Sequence, residues 1–167
     1  GRVTMFGRDF YADEPACKQQ LGVVLGGVDF YPNKKLRSIT NVTRTFYDRW
    51  DENKYRHYLS LFALDETKKV SQLSSGMRVK YMLALALSHD ARLLILDEPT
   101  SGLDPVSRDE LMELFRGVVQ SGERSILFST HITSDLEKCA PHITMIKDGQ
   151  ILCSDTRDGF LACYRAQ

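Results

Sequence analysis

The run Leu93-Leu94-Ile95-Leu96-Asp97-Glu98-Pro99-Thr100-Ser101-Gly102-Leu103-Asp104-Pro105 constrains the fold of this chain more than any other stretch. Four large aliphatic residues in succession, without polar alternation, predict a strand buried on both faces in the middle of a parallel sheet. Asp97 and Glu98 follow at its carboxyl end, where open α/β sheets place their ligands. Pro99 ends the strand and favours an extended conformation for Glu98 before it. Neighbouring side chains on an extended segment point to opposite sides, so the two acids can hold different jobs. One can hold a hard cation such as Mg²⁺ through oxygen, and the other can orient or deprotonate an attacking water. A lone Asp-Glu pair is more often a solvated strand end; its neighbours decide between the readings.

The pattern on either side is that of alternating strands and helices. Residues 1–6 alternate Val3 and Met5 with polar neighbours, a short strand signal, and a polar turn through Asp9 and Asp13 follows. Leu21–Leu25 is a compact apolar strand. From 36 to 90 the character is helical. Tyr55, Tyr58, Leu59 and Phe62 recur at i, i+3, i+4 and i+7, with Asp51 and Glu52 near the start of their helix. Residues 76–88 form a second helix, apolar nearly all round and hence buried. Asp104 caps a further helix with Pro105 at its first position, and Leu111, Leu114, Phe115, Val118 and Val119 make its buried stripe before Ser121-Gly122 closes it. Ser125–Ser129 is another buried-strand candidate. A short helix over 134–139 leads to a strand over 142–146, the Asp148-Gly149 turn pairs it with 151–154, and a helix over 157–164 ends the chain.

Charge excludes some classes of function. Lys plus Arg and Asp plus Glu each number 22, so no basic field points to nucleic acid, and an anion site has to be local. Cys17, Cys139, Cys153 and Cys163 form no CxxC pair and no zinc spacing with the four histidines, which reads as reduced thiols in a cytosolic protein. The most apolar stretch, 77–87, is interrupted by Arg78 and Lys80 and is shorter than the roughly 18 residues of a membrane span.

Two further sites carry chemistry. Leu73-Ser74-Ser75-Gly76-Met77 stands where the long buried helix begins. Ser74 or Ser75 can cap that helix, Gly76 lets a ligand approach the backbone, and the free N–H groups of a helix start favour an anion. His131, after a buried strand and two hydroxyl residues, can donate a hydrogen bond to a phosphate oxygen or to the attacking water. Successive parallel strands bring its strand end to the same edge as Glu98. Taken singly, each is more often a plain helix cap or a structural histidine.

Their order, Ser74, Asp97, Glu98, Asp104, His131, resembles the nucleotide-binding domain of an ATP-binding cassette (ABC) ATPase over nearly the whole chain. Leu73 to Met77 resembles the family's signature motif, Leu93 to Glu98 its Walker B strand, Ser101 to Asp104 its D-loop, and His131 its switch histidine. The resemblance implies an α/β fold of the P-loop NTPase type: a mostly parallel sheet flanked by helices, with an inserted helical subdomain. The implied division is 1–35 as remainder of the ATPase core with the Q-loop region, 36–90 as helical subdomain ending in the signature motif and its helix, and 91–167 as core. It implies ATP and Mg²⁺ as cofactors. Asp97 would help hold the metal, Glu98 would polarise the attacking water, and His131 would contact the γ-phosphate. Ser74, Ser75 and Gly76 would lie against ATP held by a partner protomer, and Asp104 would couple the two sites.

The implied partners are a transmembrane permease and a second nucleotide-binding domain, identical or not, with no nucleic acid. The implied location is the cytoplasm, peripheral on the inner face of the membrane. Ser129-Thr130-His131-Ile132 and Trp50-Asp51 look most like bacterial exporters whose cassette and membrane subunits are separate chains. The alternatives are a soluble ABC-type ATPase acting on ribosomes or DNA, and a non-catalytic interaction module.

The sequence also departs from the family pattern. None of the eleven glycines is followed by lysine, so a P-loop, GxxxxGK followed by Ser or Thr, is not found in it. The expectation is a cassette without its N-terminal strands, P-loop and following helix, a fragment that alone binds ATP weakly or not at all and does not turn it over. Gly26-Gly27 stand where the family has a metal-sensing Gln; Asp29 either substitutes or is a solvated loop acid. Ser75 and Met77 replace the usual Gly and Gln of the signature.

Overall fold

Three of the aliphatic runs become strands of one parallel sheet, and two long helices form its cover. The computed structural model describes residues 1–25 and 31–165, so Gly26, Gly27 and Asp29 lie outside the described residues. In chain order the elements are β1 (Thr4–Met5), β2 (Arg8–Asp9), α1 (Glu14–Lys18), β3 (Leu21–Leu25), α2 (Leu36–Thr43), α3 (Glu52–Leu61), α4 (Ser75–Ser88), β4 (Leu93–Asp97), α5 (Pro105–Val119), β5 (Ser125–Ser129), α6 (Thr133–Cys139), β6 (His142–Lys147), β7 (Gln150–Thr156) and α7 (Arg157–Arg165). β3, β4 and β5 pair in that order, all parallel, with Leu25 opposite Asp97 and Asp97 opposite Ser129. All three therefore end on one edge. β6 and β7 form an antiparallel hairpin, and its tight turn puts Asp148 and Gly149 at positive φ, as the Asp-Gly pair predicts.

Burial corrects one expectation. Leu94 and Leu96 are fully buried, but Leu93 and Ile95 are only half-buried, and in β5 Leu127 is 61% exposed. Side chains alternate along a strand, so Gly22, Leu94 and Ile126 share one face and Val23, Ile95 and Leu127 the other. α4 packs on the first of these faces: a Cβ at Gly22 would stand 2.5 Å from the Ala86 Cβ and 2.6 Å from Leu94 Cδ2. α5 reaches the same face through Phe115, whose ring lies 6.0 Å from that of Phe128. The apolar run says that the strand is central, not which face receives the helices.

The helical expectations hold except in the stripe of α5, where Leu111, Phe115 and also Met112 are buried, Leu114 and Val118 are half-buried, and Val119, at the last turn, is exposed. Asp51 caps α3, accepting from the N–H groups of Asn53 and Lys54 at 2.8 and 3.1 Å. Tyr55, Leu59 and Phe62 are buried, as the spacing predicts. The Tyr55 and Tyr81 hydroxyls meet Thr40 Oγ1 at 2.7 and 2.9 Å, and Tyr81 also donates to the Leu36 carbonyl, so the buried hydroxyls are satisfied. Between β1 and β3, where only a strand and a turn were expected, the chain forms the β1–β2 pair and the five-residue α1, elements too short for a periodicity to show.

Two residues past the end of α4 stands Asp90, a non-glycine residue at φ 61°. Its carboxylate accepts from Lys54 Nζ at 2.6 Å and from an Arg124 guanidinium N–H at 3.3 Å, tying α3 and the approach to β5 to this turn. The Lys54 hydrogen bond holds the Asp90 carboxyl below the usual carboxylate range. A depressed folded-state pKa contributes stability above the unfolded pKa, and that contribution is lost as pH falls through the folded value. Asp90→Asn keeps a residue that tolerates the left-handed region. It is expected to be less stable than wild type at neutral pH, with the gap closing as acid carries Asp90 through its lowered pKa; urea midpoints measured against pH check this.

Candidate functional site

The acids meet their partners because β4 and β5 end in register. Ser129, directly opposite Asp97, donates its hydroxyl to Asp97 Oδ1 at 2.7 Å and accepts from the Glu98 backbone N–H at 3.0 Å. One serine thus fixes both neighbours. Glu98 is not extended: it stands at φ 46°, in the left-handed region, and its carbonyl accepts from Ser101 N–H at 3.1 Å. The Ser129 contact on one side and the turn on the other override the preference that Pro99 imposes. A non-glycine residue held there is strained, and such strain concentrates at functional sites.

His131 completes the cluster. Its Nδ1 lies 2.9 Å from each oxygen of the Glu98 carboxylate, but only Oε1 meets hydrogen-bond geometry. Glu98 Oε2, screened from solvent, keeps acceptor capacity for a further donor. The two residues are 33 apart in sequence and come together because each follows a strand of the same sheet.

The other candidate residues occupy helix starts. Ser74, not Ser75, caps α4, accepting from Met77 N–H at 3.2 Å, while Ser75 opens the helix. Gly76 stands beside the next motif, since a Cβ there would lie 3.5 Å from Leu103 Cδ2. Asp104 caps α5, accepting from the N–H groups of Val106 and Ser107 at 3.1 Å each and from the Ser107 hydroxyl at 2.6 Å. That hydroxyl, with the backbone N–H groups, holds the Asp104 carboxyl below its usual range, so it is a charged cap at neutral pH. Asp97, Glu98 and His131 therefore form one cluster, and the Ser74 to Gly76 turn sits with the start of α5 in another.

Sequence reasoning missed three residues around the cluster. Thr100 and Asp135 are fully buried and bonded to one another, Thr100 Oγ1 donating to Asp135 Oδ2 at 2.7 Å, and Arg108 lies next to them. The signal was a polar residue two positions past Glu98 and a carboxylate four past His131, and neither carries a periodicity.

Among the described residues no group of three or more His, Cys, Asp or Glu side chains forms a self-sufficient metal cage. Mg²⁺ is commonly held by one or two carboxylates together with substrate phosphates, and Asp97, exposed with one oxygen engaged by Ser129, fits that use. A cleft of about 310 Å³ lies elsewhere, between edge strand β3 and α4, lined by Val23, Tyr47, Met82 and His89 among others. The His89 ring stacks on Tyr47 at 3.6 Å, and burial lowers its pKa. That wall offers no carboxylate, so the acid-base chemistry belongs to the strand ends.

Comparison with known proteins bears on the family. The family described as "AAA domain, putative AbiEii toxin, Type IV TA system" matches residues 28–134. The bacitracin transport ATP-binding protein BcrA of Bacillus licheniformis is 31% identical over 154 residues, covering 91% of this chain and 50% of that protein. The carnitine transport ATP-binding protein OpuCA of Listeria monocytogenes serotype 1/2a (strain 10403S) is 28% identical over 170 residues, covering 96% and 42%. The chain thus spans about half the length of the curated relatives it matches. A solved structure described as "Structure of ATP binding subunit of ABC transporter" superposes with a TM-score of 0.81 at 23% identity, over 99% of this chain and 70% of that one, which shows a common fold.

Proposed function

The chain belongs to the AAA domain family and with the ATP-binding proteins of ABC transporters, and from that premise we propose that its full-length parent hydrolyses Mg-ATP to power a membrane transporter. The observation that carries the reading is the Asp97, Glu98 and His131 cluster at the carboxyl edge of the parallel sheet. Asp97 would take Mg²⁺ on its outer oxygen, and the metal would neutralise phosphate charge. Glu98 would accept a hydrogen bond from the attacking water on its carboxylate. His131, held beside it, donates to the γ-phosphate. Such catalysis is mostly positioning and electrostatics.

Ser74, Ser75 and Gly76 would present the start of α4 to ATP held by a second nucleotide-binding domain, and Asp104 would couple the two sites. The remaining partner is a transmembrane permease, which places the protein on the cytoplasmic face of the membrane; no helix among the described residues is long and apolar enough to cross it. The sequence features shared with separate-chain bacterial exporters favour export. The division into 1–35, 36–90 and 91–167 is part of the same reading.

Residues 1–167 alone carry no GxxxxGK, so this stretch by itself is expected to bind Mg-ATP weakly and not to turn it over. Calorimetry on the isolated chain checks this, and micromolar Mg-ATP binding would overturn it. The function is tested by phosphate release from Mg-ATP by the full-length parent, purified with its membrane partner. Turnover is expected. A parent that binds no nucleotide and releases no phosphate would contradict the reading.

A further inference from the structure

We propose that the buried Thr100–Asp135 pair, with Arg108 beside it, is a positioning device that sets the Glu98–His131 geometry; the inference rests on the hydrolytic reading above. Thr100 lies two residues past Glu98, and Asp135 lies four past His131. The 2.7 Å bond between their side chains therefore ties together the two segments that carry the reacting groups. Both side chains are fully buried. Asp135 Oδ1 has no hydrogen-bond partner and stands 4.0 Å from Arg108 Nε, which is equally unpartnered, while a second Arg108 nitrogen donates to the Leu103 carbonyl at 3.4 Å. The cluster thus reaches from α6 through the loop after Glu98 to the first turn of α5.

Packing alone does not account for these residue types. Burying a carboxyl costs desolvation, and an apolar pair of the same shape would fill the space as well or better. What the polar pair adds is a fixed direction and distance. Glu98 needs such a fixture, because its left-handed backbone is strained and relaxes unless both flanks are held. Ser129 holds the strand side, through the Glu98 N–H. Thr100, bonded to Asp135, holds the loop side. Glu98 and His131 are reacting groups; Thr100, Asp135 and Arg108 act through them.

The test is steady-state Mg-ATP hydrolysis by the full-length parent as wild type, Thr100→Val, Thr100→Ser, Glu98→Gln and the Thr100→Val/Glu98→Gln double variant. Thr100→Val keeps the shape and removes the donor. It is expected to lower kcat by about 10- to 100-fold, as a slight misplacement of reacting groups does, with KM for Mg-ATP unchanged. Thr100→Ser restores the hydroxyl and is expected to restore kcat. In the Glu98→Gln background Thr100→Val should produce no further loss, whereas a general folding defect would persist there. Wild-type kcat in Thr100→Val, or its full loss repeated in the Glu98→Gln background, overturns the proposal. If Thr100→Val does not fold, Thr100→Val/Asp135→Leu removes both polar partners together: a lowered kcat supports the device, and wild-type kcat overturns it. Should Glu98→Gln itself leave turnover intact, the hydrolytic reading and this inference both fall; should Glu98→Gln abolish turnover while Thr100→Val turns over at the wild-type rate, only the inference falls.

Discussion

Glu98→Gln in the full-length parent is expected to lower kcat for Mg-ATP hydrolysis by about 10²- to 10⁴-fold, the usual contribution of a positioned acid-base group. Glutamine has nearly the same shape, so the Glu98 backbone keeps its hydrogen bond to Ser129 and the Ser101 turn stays closed. The amide oxygen can still accept from His131 Nδ1. What is lost is the negative charge that polarises water and the second carboxylate oxygen, which the protein leaves without a partner. Nucleotide binding is expected to survive, because Asp97 and the helix starts at Ser74 and Asp104 are untouched. Loss of kcat with KM held would mark an interaction made in the transition state; a raised KM with kcat held would mark one made in binding.

Leu94→Ala is expected to cost about 2–5 kcal/mol of folding stability, a large part of the roughly 5–15 kcal/mol that holds a typical domain together. Leu94 is fully buried at the centre of the sheet, and its Cδ2 fills the space above Gly22 that Ala86 and Ala91 also border. Those three residues have no side chain long enough to collapse into the space a missing isobutyl group leaves, so a cavity term adds to the lost burial on that side. Leu127 is on the opposite face and 61% exposed. Leu127→Ala should change stability by no more than about 0.5 kcal/mol. Urea unfolding of the two variants compares them directly, and equal midpoint shifts would show that the sheet faces have been assigned wrongly.

The contrast between those two leucines marks what the sequence made legible. An apolar run with acids at its end predicts a central strand and the place of the site, and β4 delivers both. It does not say that α4 and α5 cover the same face, because that depends on how helices separated in sequence pack over β3 and β5. Helix starts were legible at Ser74 and Asp104, caps that accept from backbone N–H groups as expected, whereas Asp51, read only as an acid near a helix start, caps α3 as well. The site residues Asp97, Glu98 and His131 were legible as strand-end groups. Their joining by Ser129 was not, since it rests on strand register. The left-handed turn at Glu98 ran against the local proline rule, and only tertiary hydrogen bonds account for it. Thr100 and Asp135 lay furthest from view, since 35 residues separate them and their bond is buried.

The central claim, that the Asp97, Glu98 and His131 cluster carries out the hydrolysis, is tested most directly by a single-turnover measurement. Full-length wild type and Glu98→Gln are loaded with nucleotide, Mg²⁺ is added, and the bound nucleotide is sampled over time. Chemistry is then separated from binding and product release. Wild type should convert its bound ATP to ADP and phosphate, and Glu98→Gln should retain ATP over the same interval. Cleavage of bound ATP by Glu98→Gln at the wild-type rate would contradict the account.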